Sequence, residues 1–248
     1  IGILSSIILP PETEEQDLRR IMSELEQACD ELQIEILGGH TEVSDAVNRP
    51  VITVTGVGKV ARGDLLSTGG MQPGDELVMT KWAGLEGSAI IAAEKRDVLE
   101  QTLPVHLIDT AESFLKHISV VPEAKIAMQH GVHAMHDVTE GGIFGALWEM
   151  GAASGVGIVA DLDKIPIRQE TIELCEVFDI NPYLLISSGC MLIGCENGNL
   201  LVERLQDAGI PAAVIGRATE GNDRVIRSGE ETRFLEPAGS DELYKIYE

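Results

Sequence analysis

The chain has 248 residues and sets 41 acidic side chains against 18 basic ones, a formal net charge of -23. That balance argues against nucleic acid or an anionic membrane as a partner, because counterion release would work against binding. Length alone allows one large domain or two modest ones. Aromatics, at 4% of residues, suit strands packed on helices better than a base-stacking platform. No apolar run approaches the roughly 18 residues of a membrane helix, and Cys29, Cys175, Cys190 and Cys195 lack CxxC pairing, so a cytoplasmic protein with buried, reduced thiols is expected.

Residues 2–9 form an apolar, β-branched run that predicts a buried strand. The chain opens inside this run, so a first domain lacking its beginning is expected. Thr13 and Gln16 make a capping-box pattern, and Leu18, Ile21, Met22, Leu25, Cys29 and Leu32 then recur at helical spacing over about five turns. A short strand over 34–37 is expected to enter a tight turn at Gly38-Gly39. Residues 51–60 alternate β-branched residues with Thr and Gly, as an edge or interface strand does.

Gln72-Pro73-Gly74-Asp75 is a turn and the best boundary, dividing the chain into 1–71 and 72–248. The second part alternates: a strand at 76–80, helices over 84–93, 107–118 and 121–130, and a strand at 132–138. A helix from Gly141, a strand at 157–160, a helix at 169–178 and a strand at 190–195 follow. The last elements are a helix at 200–208, a strand at 212–217, two short strands flanking Gly229, and a final helix capped by Ser240.

The stretch most suited to chemistry is His136-Asp137-Val138-Thr139-Glu140-Gly141-Gly142, where a strand ends in a carboxylate and a hydroxyl and opens into a helix. Two readings stand. Thr139 can be an ordinary N-cap with Glu140 favourable in the first turn. Alternatively, the free amides of the first turn, with Asp137 and Thr139, form a site for an anion and its metal. His130, His133 and His136 could suggest zinc, but on a strand His133 and His136 point to opposite faces and no Cys stands at ligand spacing. His136, beside Asp137, is better placed to touch substrate.

This stretch, Gly38-Gly39-His40-Thr41-Glu42, and Gln72-Pro73-Gly74-Asp75 with Gly84-Leu85-Glu86-Gly87 occur in an order that resembles the aminoimidazole ribonucleotide (AIR) synthase superfamily. Ser154-Gly155-Val156-Gly157-Ile158, Ile165-Pro166, Cys175 and Ile186-Ser187-Ser188-Gly189 lean towards the hydrogenase maturation factor HypE within it. Selenophosphate synthetase and thiamine-monophosphate kinase are further relatives.

The resemblance implies an α+β, PurM-like fold with a strand-rich first domain and an α/β second domain. It also implies a homodimer that binds ATP and Mg2+ and phosphorylates an amide or carboxamide oxygen of a small-molecule substrate. In this picture Asp137 and Glu42 hold the metal, His136 joins Asp137 in catalysis, and Gly38, Gly39, Thr41, Lys81, Thr139, Gly141 and Gly142 contact the nucleotide. Helix N-termini and bases such as Lys59, Arg62 and Lys81 would supply the positive field that so acidic a chain otherwise lacks. His40 stands where the superfamily usually has a carboxylate, and Ser188 where HypE proteins often have an acid nearby. These departures leave room for a nucleotide-binding regulator without catalysis. HypE proteins carry their reactive cysteine at the end of a tail, whereas the last cysteine here is Cys195 in an apolar strand. No protein-bound thiocyanate is therefore expected.

Overall fold

The computed structural model describes residues 1–247 and divides into two compact units, Ile1–Leu65 and Leu66–Glu248. No helix among the described residues is long and apolar enough to cross a membrane.

In the first unit, strand β1 (Gly2–Leu9) is followed by helix α1 (Glu15–Leu32), strand β2 (Glu35–Val43) and strand β3 (Val51–Val57). The sheet order is β2-β1-β3, with β1 parallel to β2 and antiparallel to β3. Ile3, Ser5, Ile7 and Leu9 of β1 are buried, as the period of two requires. Two expectations fail here. Gly38-Gly39 is not a turn but the middle of β2, at φ 149° and 155°. A Cβ on Gly39 would stand 2.8 Å from the Ser5 carbonyl carbon, so the glycine serves close approach to β1. Thr13 does not cap α1 either. The helix starts after Glu14, which makes no side-chain cap, so the capping box is out of register.

The second unit contains β4 (Glu76–Thr80), α2 (Leu85–Glu94), α3 (Arg96–Leu99), α4 (Val105–Glu112), α5 (Val121–Ala127) and β5 (Val132–Asp137). It continues with α6 (Gly142–Ser154), β6 (Gly157–Asp161), α7 (Gln169–Phe178), β7 (Met191–Cys195), α8 (Gly198–Asp207), β8 (Ala212–Thr219), β9 (Arg224–Ser228) and β10 (Glu231–Phe234). The strands form one sheet in the order β10-β9-β6-β8-β4-β7-β5, antiparallel throughout except for β6 beside β9. The final element is a 3-10 helix, Glu242–Tyr247, and it is the Asp241 carboxylate rather than Ser240 that accepts the Leu243 N–H, at 2.9 Å.

Alternation along the strands divides the core between the two faces of this sheet. Leu77 and Met79 of β4 join Ile158, Leu192 and Ile215 under α2, α4, α6 and α7. Val78 joins Met191, Ile193 and Cys195 under α5 and α8.

Candidate functional site

Strand β5 ends at Asp137, held by β7 on one side through the Asp137–Met191 pairing. Val138 is buried and donates its N–H to the Cys190 carbonyl at 3.0 Å, which anchors the chain as it leaves the sheet. Asp137 and Thr139 on either side of Val138 are exposed, and neither side chain makes a hydrogen bond or ion pair among the described residues. A carboxylate and a hydroxyl, both hard oxygen donors, are therefore left open to solvent at the end of a rigid strand. That is the donor chemistry a magnesium ion and its phosphate ligands use.

The amides that follow are not open. Gly141, at φ 81°, precedes α6 and donates its N–H to Asp241 Oδ2 at 2.7 Å, in a buried position. The Gly142 N–H goes to the Thr139 carbonyl at 3.1 Å and the Phe144 N–H to the Tyr183 carbonyl at 3.2 Å. Gly142 is pressed against the backbone of 183–185, where a Cβ would stand 2.8 Å from the Leu185 carbonyl oxygen. The Gly141 and Gly142 amides, expected to contact phosphate, are engaged within the chain: the anion at this helix terminus is the Asp241 carboxylate.

Lys81, expected to contact the nucleotide, is engaged within the chain as well. Its backbone lies in the left-handed region at φ 54° and the residue is only 6% exposed. Nζ donates to the carbonyls of His117 at 2.8 Å, Ser119 at 2.7 Å and Gly189 at 2.9 Å, and stands 2.5 Å from Glu123 Oε1. All three ammonium protons are spent on backbone carbonyls, which leaves none for a polyphosphate.

His136 is held at both ring nitrogens, Nδ1 against Thr68 Oγ1 at 3.1 Å and Nε2 against Glu149 Oε2 at 2.9 Å. His133, three residues earlier on β5, instead has Nδ1 at 2.9 Å from Asp75 Oδ2. His136 is therefore oriented by the protein rather than free for substrate. Sequence reading missed Thr68 and Glu149 as its partners. It also missed what Ser187 does: its hydroxyl accepts the Gly84 N–H at 2.7 Å and so fixes the start of α2.

In the first unit, His40 and Glu42 lie on one face of β2 with Nε2 and Oε2 3.4 Å apart, both largely exposed. Thr41 alternates to the opposite face. Among the described residues no three or more His, Cys, Asp or Glu side chains cluster as a protein-only metal site. Burial pushes the thiols of Cys175, Cys190 and Cys195 up to about 12, so none is a ready thiolate.

A family model for the AIR synthase related protein, C-terminal domain, matches residues 72–228, and one for the N-terminal domain matches residues 1–60. A putative hydrogenase expression/formation protein of Methanocaldococcus jannaschii is 29% identical over 230 residues, covering 91% of this chain and 66% of the relative. Carbamoyl dehydratase HypE of Rhodobacter capsulatus is 28% identical over 233 residues, covering 92% of this chain and 66% of the relative. The chain thus spans just under two thirds of the length of each. Among solved structures, Escherichia coli HypE matches with a TM-score of 0.84 at 20% identity, covering 99% of this chain and 76% of that one. A hydrogenase maturation protein HypE in complex with ATP matches with a TM-score of 0.77 at 18% identity, covering 98% of this chain and 74% of that one. These structural likenesses establish a PurM-like α+β fold.

Proposed function

Since the chain belongs to the AIR synthase related protein family, close to HypE, we propose that it is a cytoplasmic, ATP-dependent enzyme that activates an amide or carboxamide oxygen of a small molecule. The observation that carries this reading is the pair of open oxygen donors, Asp137 and Thr139, at the end of β5. Bound ATP would supply a phosphoryl group that turns a poor leaving group into phosphate. Asp137 would hold the magnesium ion, with Thr139 contacting phosphate. Magnesium commonly takes only one or two protein carboxylates and completes its shell with water and phosphate, so the absence of a protein-only cluster among the described residues does not conflict with this role. Residues 1–71 would be an AIR synthase-related N-terminal domain and 72–248 the C-terminal one.

Asp137→Asn keeps the shape of the side chain and removes its charge. Mg-ATP affinity is expected to fall at least tenfold, about 1.4 kcal/mol, by calorimetric titration. Unchanged affinity would remove Asp137 from the site.

The second reading, a nucleotide-binding regulator without catalysis, draws on Lys81 and the Gly141 amide, both engaged elsewhere in the fold. ATP turnover measured with and without candidate amides separates the two. Turnover that rises with one of them supports the enzyme, and nucleotide binding with no turnover under any condition supports the regulator.

A homodimer is part of the proposal. Every residue of β3 is exposed, Val51, Ile52 and Val54 at 42–47%, on an edge strand with unpaired backbone groups. Pairing with a second copy would cover both the apolar surface and the edge. Sedimentation should show a dimer at micromolar concentration, and charged substitutions at Ile52 and Val54 should shift it to monomer. A monomer at every concentration tested would rule the pairing out.

A further inference from the structure

On the α5/α8 side of the seven-stranded sheet the apolar cover ends at β8, and no core residue of that layer comes from β6 or β9. Where it ends, a cavity of about 430 Å3 is lined by Glu76, Asp161, Lys164, Arg217 and Arg227, with Gly216 in its floor. A space of this size accommodates a small metabolite.

Strand register explains which side chains meet there. Arg217 of β8 lies opposite Val159 of β6, and Arg227 of β9 lies opposite Asp161, two residues further along β6. The two arginines therefore share one face of the sheet. Two strand spacings of ~4.8 Å across and two residues of ~3.4 Å along put their Cα atoms roughly 12 Å apart, a gap that two long side chains can close from either side.

The charges do not cancel locally. Asp161 Oδ2 accepts the Lys164 ammonium at 2.7 Å. Glu76 stands directly opposite Arg217 in the register, where a cross-strand ion pair would ordinarily form. Its Oε2 is instead turned to the Gly198 N–H at the start of α8, at 2.6 Å. Arg217 and Arg227 make no hydrogen bond or ion pair among the described residues. Arg96, by contrast, meets Glu100, Asp109 and Glu112 together. Three cations against two carboxylates, both already committed, leave the cavity net positive with two guanidinium forks unused.

We infer that this cavity is a binding site for a small oxyanion, the phosphoryl or carboxylate group of a metabolite, held between Arg217 and Arg227. Guanidinium forks match both groups in a bidentate way. The site is separate from Asp137 and does not depend on the nucleotide reading.

The test titrates inorganic phosphate and succinate, each alone and at low ionic strength, into the intact chain and into Arg217→Gln, Arg227→Gln and the double variant. Asp137→Asn serves as the control. One or both probes should bind saturably at one per chain, shift the backbone amide resonances of Gly74 and Gly216, and weaken as salt rises. Each single variant should weaken binding and the double variant should raise Kd at least tenfold, while Asp137→Asn leaves it unchanged. Which probe saturates identifies the phosphoryl or the carboxylate as the recognised group. Both arginines are exposed, so the Gln variants should keep the wild-type unfolding midpoint. Failure of both probes to saturate, affinity unchanged in the double variant, or binding lost in Asp137→Asn would overturn the assignment.

Discussion

Lys81→Met is expected to lower the free energy of unfolding by about 3–5 kcal/mol, the range for breaking a buried ion pair from one side. The ammonium lies among the carbonyls of His117, Ser119 and Gly189 and beside a Glu123 that is 0% exposed. Glu123 Oε1 is 2.5 Å from Nζ, yet neither of its carboxylate oxygens has a hydrogen bond of good geometry. The contact is thus one of charge more than of alignment, and Lys81 is the sole compensation for that buried carboxylate in the described structure. A methionine fills the volume but leaves one anion and three carbonyls without donors. Urea unfolding measures the loss, and Lys81→Met with Glu123→Gln should recover part of it, because the stranded charge is then gone. Lys81→Met with wild-type stability and weakened Mg-ATP binding would restore the phosphate role and refute the structural one.

The route from sequence to fold was shortest where the signal was local. The short apolar runs at 76–80 and 190–195 give β4 and β7 within a residue, and helical spacing gives α1. The exposed Asp137 and Thr139 also follow from local pattern, since a strand that ends in polar residues before two glycines leaves the sheet there. What stayed hidden depends on distant partners. Lys81 after a strand reads as a free cation, and only the fold brings in the Gly189 carbonyl, 108 residues away. Backbone carbonyls have no residue signature, so no pattern announces such a cage. Gly38-Gly39 is equally ambiguous: glycines permit a turn or a close approach, and the Ser5 backbone on a neighbouring strand decides for the second. The capping box at Thr13 failed by a shift in register, an error to which helix ends are prone.

Asp241→Ala is expected to cost about 2–4 kcal/mol and to loosen the start of α6. Oδ2 of this 4%-exposed residue accepts the Gly141 N–H at 2.7 Å, while Oδ1 accepts the N–H groups of Ile186 at 3.2 Å and Leu243 at 2.9 Å. One carboxylate thereby ties together the first turn of α6, the segment leading into Ser187, and the final 3-10 helix. Hydrogen bonds to a charged group contribute about 1.5–3 kcal/mol each, less when several share one acceptor, and the helix terminus adds a further favourable field. Asp241→Asn keeps one acceptor oxygen but turns an amide N–H towards at least one donor, so it should fall between wild type and Ala. Hydrogen exchange locates the effect: the amides of Gly141, Ile186 and Leu243 should lose protection together in Asp241→Ala, since they share an acceptor. The Ala238 methyl group, which packs over Gly141 and Gly145, should come away with the same segment. Loss of protection at Leu243 alone, with Gly141 still slow to exchange, would mean that the α6 terminus is held by its packing against 183–185 and not by the carboxylate.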